Sequence, residues 1–437
     1  MLLISLTITG CSKTPSEDFY VSGTDFQYQY YDNSCSRNVM AQGNNAIYFS
    51  IGDYIYQLDE ETETISPLCN KANCLHNNEI DKNKKSECNA YIQQDDIGDG
   101  NISYMDGFLY TITSEWKEDK LCSSLYKLAE NGSSKDRIYQ WDGATADNWC
   151  FHRNILYYVE HTYDENNQEF YELKEMKLTG IGKFKPNVIW KPDEDITVVG
   201  CTNLVAYGNH FYFNVDGAKG NNVTGLASED DWIKYYYSKT FQYNLEDKTL
   251  SEIRIPDQTE TQQVSSVTFW QDRIVFQPFD MKKNEQLDAT ADVYIADLNG
   301  SNAEVLLKDM PMYRSFSSDG NYLYVSNWSE CTAKIVLSPE FQESLSDNTK
   351  WDYKVNVDIY DKNMNLVDSV EPPFRDDLPS EQVYGIGDRM YVQVEDESNG
   401  QISIQYWDKS KIGTYHGGEY QLTHVCDIEG VKESDVE

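Results

Sequence analysis

The chain has 437 residues, of which 40% are hydrophobic and 13% aromatic, ample for a large core. Its formal net charge is −37, and a surface this acidic repels nucleic acid and anionic headgroups at long range. Nucleic acid is therefore set aside as a partner, and solubility of an exported protein is the plain reading of the charge. The 33 tyrosines and 9 tryptophans suit antiparallel sheet, where broad rings pack on a pleated surface.

The chain opens on an apolar run, Met1 to Ile8, followed by Ile8-Thr9-Gly10-Cys11. The polar stretch Ser12 to Gly23 comes directly afterwards and has the composition of a tether. Residues 1–10 are expected to be a signal truncated at its start, since a full one carries basic residues and a longer apolar core. Residues 11–25 are expected to be the tether, and 26–437 a single domain.

Within that domain one short pattern returns seven times. A bulky apolar group marks each copy: Ile47-Tyr48-Phe49, Leu109-Tyr110, Leu156-Tyr157, Phe211-Tyr212-Phe213, Ile274-Val275-Phe276, Leu323-Tyr324 and Met390-Tyr391-Val392. The copies recur every ~57 residues, at the long end of the spacing of propeller blades. Each is preceded by a tight polar turn: Gly43-Asn44, Asp106-Gly107, Arg153-Asn154, Gly208-Asn209, Asp272-Arg273, Asp319-Gly320 and Gly387-Asp388. Such residues accept the conformations needed between antiparallel strands. Alternating runs follow, for example Leu125-Tyr126-Lys127-Leu128 and Ile404-Gln405-Tyr406-Trp407. The expected fold is all-β, a seven-bladed β-propeller of four-stranded antiparallel blades.

That layout sorts the connections. First–second and third–fourth turns fall on one face of the disc, and second–third and blade-to-blade connections on the other. The long segments all have the second address: Cys69 to Asn101, Ser114 to Cys122, His161 to Glu169, Asp216 to Ile233, Phe279 to Asp292 and Asn327 to Asp352. Long loops on a rigid scaffold are where function concentrates, so that face is the expected working surface. Its aromatics, Trp116, Tyr163, Trp232, Tyr235, Trp328 and Trp351, are candidate stacking residues for sugar rings or anchors for a protein partner. Their alternative role is to cap the apolar ends of blades. Closure of the ring is expected to use a strand from the far end of the chain, Phe26 to Asp32 or Tyr420 to Ile428.

The sharpest local cluster is Cys69, Cys74, His76 and Cys88. Three thiols and an imidazole match a tetrahedral zinc site in ligand type, although the spacing is not that of a zinc finger. A disulfide with one thiol left over, or three free thiols, stays open beside a structural zinc. Cys150 and Cys201 fall in or beside first strands and are expected to pack as small apolar residues. No nucleophile elbow, zinc-protease helix, P-loop or dinucleotide loop is present in the sequence.

Three passages carry a family resemblance: Ile8-Thr9-Gly10-Cys11, the run from Pro67-Leu68-Cys69 to Cys88-Asn89-Ala90, and Val293-Tyr294-Ile295-Ala296-Asp297-Leu298-Asn299-Gly300-Ser301-Asn302. The first resembles a bacterial lipobox, in which a peptidase cuts before the Cys, whose thiol and new amino group become acylated. The whole resembles cell-surface propeller lipoproteins of Clostridia-like Gram-positive bacteria. The last passage is similar to blades of low-density-lipoprotein-receptor-type propellers, without their Tyr-Trp-Thr-Asp signature. The resemblance implies lipidation at Cys11 and anchoring on the outer face of the cytoplasmic membrane, and no catalytic residue carries over from it. A ligand-binding or scaffolding module for glycan or protein is thus the leading expectation. The alternative is a polysaccharide-active enzyme, a hydrolase or lyase, using carboxylates at the mouth of the central channel.

Overall fold

The computed structural model describes residues 18–21, 25, 39–44, 46–92, 101–117, 120–164, 169–178, 184–220, 235–264, 267–283, 289–312, 314–327, 355–372, 383–396, 401–417 and 422–428. Trp232, Trp328, Trp351, Cys11 and the strand candidate Phe26 to Asp32 lie outside them.

Seven four-stranded antiparallel sheets follow one another along the chain, each built from consecutive strands. Their second strands are Ile47–Ile51, Phe108–Lys117, Ile155–Tyr163, His210–Lys219, Arg273–Phe276, Leu323–Ser326 and Arg389–Asp396, one for each repeated apolar group. The tight turns before them rest on backbone chemistry. Asp106 and Gly107, Arg153 and Asn154, and Gln271 and Asp272 all have positive φ, the paired left-handed conformation of a type I′ hairpin turn. Blade 5 carries a further short pairing of Gln262–Val264 with Pro278–Asp280 at the end of its inner strands.

The apolar residues explain why the sheets form a ring. Each buried cluster straddles two neighbouring blades. Tyr110, Leu125, Phe151 and Leu156 join blades 2 and 3. Tyr157, Leu173, Phe211 and Phe213 join blades 3 and 4. Corresponding clusters join blades 4 and 5, 5 and 6, and 6 and 7. The largest contains Phe49 and Ile55 of blade 1, Tyr104 and Leu109 of blade 2, and Tyr384 and Tyr391 of blade 7, so the last blade meets the first. Alternate residues of a strand point to opposite sides, and an inner blade buries both sides against its neighbours. The protein is a seven-bladed β-propeller.

Of the two strands expected to close the ring, Phe26 to Asp32 lies outside the described residues, and the other forms the last strand of blade 7. Thr423–Ile428 pairs with Gln401–Asp408 as the fourth strand of its own blade. Among the described residues no strand is exchanged between the two ends of the chain. Side chains close the seam instead: Phe49 and Tyr391 pack edge to face at 6.3 Å, and Arg389 pairs with Glu63 at 2.7 Å.

The loop expectation is also adjusted. Ser114 to Cys122 is no loop but the end of a hairpin, with Ser114 opposite Ser123 and Lys117 opposite Lys120. Alternation simply continues through Trp116, which keeps the ladder going. The long second–third connections are 220–235, 277–289 and 327–356. Two longer connections, 178–186 and 409–422, join third to fourth strands and so belong to the opposite face.

Candidate metal centre

The segment from Leu68 to Ile92 links blades 1 and 2, and its fold begins with local chemistry. Asp81 caps the short helix Lys82–Glu87 by accepting from the Asn83 N–H at 2.9 Å. The helix stops at Cys88, whose N–H donates to Lys85 O at 2.9 Å. Asn73 and His76 sit at positive φ, a conformation rare outside glycine, and so turn the chain on either side of Cys74. The Tyr54 hydroxyl holds the second of these turns by donating to His76 O at 2.9 Å.

The result is a convergence. The Sγ atoms of Cys69, Cys74 and Cys88 and a ring nitrogen of His76 all lie within 4.8 Å of one another. Cys88 Sγ is 3.6 Å from His76 Nδ1. The three cysteines are unbridged, Cys88 buried and the other two half-buried. Four protein donors of this type are the closed set of a structural zinc site, with no position left for water. Burial pushes the Cys88 thiol up to about 12. Burial also acts to raise Cys69, but N–H donors at Lys71 and Asn89 and the neighbouring thiols outweigh it, and Cys69 is lowered. Burial lowers His76, keeping the imidazole in the neutral form that ligates metal.

The surroundings tie this site to both blades. Ile55 N–H donates to Ala90 O at 2.9 Å and Ile92 N–H to Asp53 O at 2.7 Å, along blade 1. Asn70 N–H and Asn89 Nδ2 both donate to Gly132 O, at 3.2 and 2.8 Å, in the third–fourth turn of blade 2. Gly132 has φ +71, and a Cβ there would sit 2.7 Å from the Cys69 nitrogen, so only glycine fits. Lys135 of blade 2 donates to Tyr91 O at 2.8 Å and Ser86 O at 3.2 Å. Its ammonium brings positive charge beside Cys88 and Cys69. Three thiolates and a divalent ion would sum to −1, which that charge would offset. Since Asp53 and Gly132 belong to turns of opposite faces, the segment runs along the flank of the disc.

Of the other expected residues, Trp116 is 64% exposed near the end of the second strand of blade 2. Tyr163 is 54% exposed at the end of the second strand of blade 3, with its ring 4.6 Å from His161. Both therefore lie at the face of the second–third connections. Tyr235 is half-buried just before the third strand of blade 4. Cys150 and Cys201 are buried in the joint between blades 3 and 4, as small apolar packing requires.

Sequence reading missed a histidine beside Tyr163. His161 stacks on Tyr171 at 4.3 Å, its Nδ1 lies 3.1 Å from Asp147, and its Nε2 lies 4.0 Å from Glu169. The alternation of Tyr163, His161 and Val159 on one strand was the available signal. Asp147 and Glu169 thus flank His161, one near each ring nitrogen.

No family model matches the sequence, and no curated protein matches it. Solved structures do. An oligogalacturonate lyase in complex with manganese is 11% identical, over 95% of this chain and 92% of its own, with a TM-score of 0.42. The β-propeller domain of the Trilobed protease from Pyrococcus furiosus is 8% identical over 92% and 98%, with a TM-score of 0.43. Dipeptidyl peptidase 4 of Porphyromonas gingivalis is 10% identical over 90% and 53%, also at 0.43. These likenesses are distant and stop at the propeller.

Proposed function

We propose that this chain is a lipid-anchored, extracytoplasmic binding module: a propeller whose first blade joint is locked by a structural zinc and whose face of second–third connections takes a glycan or protein ligand. The observation that carries it is the closed donor set of Cys69, Cys74, His76 and Cys88, placed in a joint between blades. A zinc with four protein ligands supplies folding energy and holds no water to activate. Within the chain Cys69, Cys74, Cys88 and His76 hold such an ion, Lys135 offsets its charge, and Gly132 admits the backbone that presents Cys69. Work is thereby left to another surface. Trp116 and Tyr163 stand exposed on neighbouring blades at one face, and large exposed rings are the usual anchors for sugar rings or protein partners. The lipobox-like Ile8-Thr9-Gly10-Cys11 supports the anchor.

The test of the ligand face is a glycan array probed with the purified chain and with a Trp116→Ala, Tyr163→Ala double variant. Binding that falls at least tenfold in the variant supports this face. Binding that survives both substitutions places the ligand elsewhere.

A further inference from the structure

Asp25 is 2% exposed, and its partner Arg153 is 3% exposed. Arg153 Nε donates to Asp25 Oδ1 at 2.7 Å and Nη2 to Oδ2 at 2.9 Å, a two-point grip. The guanidinium is filled out by Asn209 Oδ1 at 2.8 Å and Phe19 O at 3.2 Å. Val21 N–H also donates to Asp25 Oδ2 at 2.8 Å. Gly208, at φ +58, makes room for this segment: a Cβ there would fall 1.9 Å from Asp18 O. Tyr20 packs into the cluster between blades 4 and 5.

The ring residues that meet Asp18, Phe19 and Asp25 come from first–second turns or their edges: His152 and Arg153 in blade 3, Gly208 and Asn209 in blade 4. Asp18–Val21 and Asp25 are therefore fastened to one face, the one opposite the second–third connections. We infer that this seat sets the orientation of the disc: the face of first–second turns lies toward the bilayer, and the face carrying Trp116 and Tyr163 points away from it. This inference rests on the reading of Cys11 as the lipidated residue.

Length decides the point. Six residues, 12–17, separate Cys11 from Asp18, a reach of about 25 Å at full extension. The nine-residue second strand of blade 3 alone spans about 30 Å from face to face. A linker that short, starting from the seat near the inner strands, cannot pass the rim and come round to the opposite face. The surface potential also decays within about 8 Å, so an acidic chain is tolerated at the end of such a tether.

The experiment has three arms. Cells expressing the full chain are fed an alkyne palmitate, and label that disappears in Cys11→Ser supports the anchor. Absence of label in the parent overturns the anchor and with it the membrane orientation. In the unacylated full chain, dyes on click-reactive residues at Ser12 and at either Asp247 or Glu194 report the seat separately. Asp247 lies in a third–fourth turn of blade 4 and Glu194 in the connection from blade 3 to blade 4, on opposite faces. Energy transfer from position 12 should be at least twofold higher to 247 than to 194, and Asp25→Asn or Arg153→Ala should erase the difference. Equal transfer in the parent overturns the seat. Finally, the acylated chain on phosphatidylcholine vesicles with labelled headgroups should transfer more strongly from 247 than from 194. The reverse order, with palmitate label present, overturns the orientation alone.

Discussion

Tyr391 in the last blade and Glu60 in the first are joined by a 3.1 Å hydrogen bond from the tyrosine hydroxyl, across a seam that no shared strand crosses among the described residues. Arg389 lies over the Tyr406 ring at 4.2 Å and reaches Glu63 from the same strand. Among the described residues the seam is thus held by the shared apolar cluster and these polar contacts, which makes it a testable joint.

Tyr391→Ala removes a fully buried ring from the cluster shared by blades 7, 1 and 2. A loss of about 3–5 kcal/mol is expected, with the urea midpoint lowered in proportion. Tyr391→Phe keeps the ring and loses one hydrogen bond, costing about 1 kcal/mol. Equal midpoints for the two variants would show that the seam is held elsewhere.

Asp368, in the fourth strand of blade 6, holds the long third–fourth connection of blade 7. Its carboxylate accepts N–H groups of Gly413 at 2.6 Å, Tyr415 at 3.0 Å and His416 at 2.7 Å. Burial acts to raise its pKa, but these donors outweigh that and hold it below the usual carboxylate range. Asp368→Ala should cost about 2 kcal/mol or more and open the backbone near Lys409 and Lys411 to trypsin. An unchanged trypsin pattern would contradict this role. Because the folded pKa is depressed, the contribution is full above the ordinary carboxylate range and fades as pH falls below it.

His152 gives a second, separate acid response. It is buried, and its Nε2 donates to Gly208 O at 2.7 Å. Burial lowers its pKa to about 4, partly countered by the Asp25 carboxylate. The unfolded chain binds this proton from about pH 6.5 downward while the folded chain refuses it to about pH 4. Stability is therefore full above pH 6.5 and falls by roughly 3 kcal/mol on going down to pH 4. Thermal unfolding in His152→Gln should lack that slope between pH 6.5 and 4; retention of the slope would assign it to other groups.

Much of the fold was legible because it repeats. Turn residues with tolerance for positive φ, such as Asp106-Gly107 and Arg153-Asn154, announce hairpins locally, and the apolar groups after them mark second strands. Cys69 through Cys88 was legible because its donors lie within one segment. What sequence did not show is non-local. Arg153 and Asp25 are 128 residues apart, and neither has an apolar period or spacing that points to the other. Asp368 meets residues more than forty positions away. Strand ends were also misplaced: Ser114 to Cys122 reads as polar loop, but Ser114 and Ser123 satisfy each other by a 2.8 Å hydroxyl contact inside the sheet. Polar residues that pair across strands carry no signature in a single strand.

We propose that Cys69, Cys74, His76 and Cys88 hold a zinc that locks blade 1 to blade 2. The direct measurement is metal content by elemental analysis, paired with native mass spectrometry of the full chain purified without added chelator. One zinc per chain is expected, lost in Cys74→Ser, with a lower unfolding temperature for the variant. A parent chain free of zinc, or one whose mass shows two of these thiols oxidised to a disulfide, would contradict it.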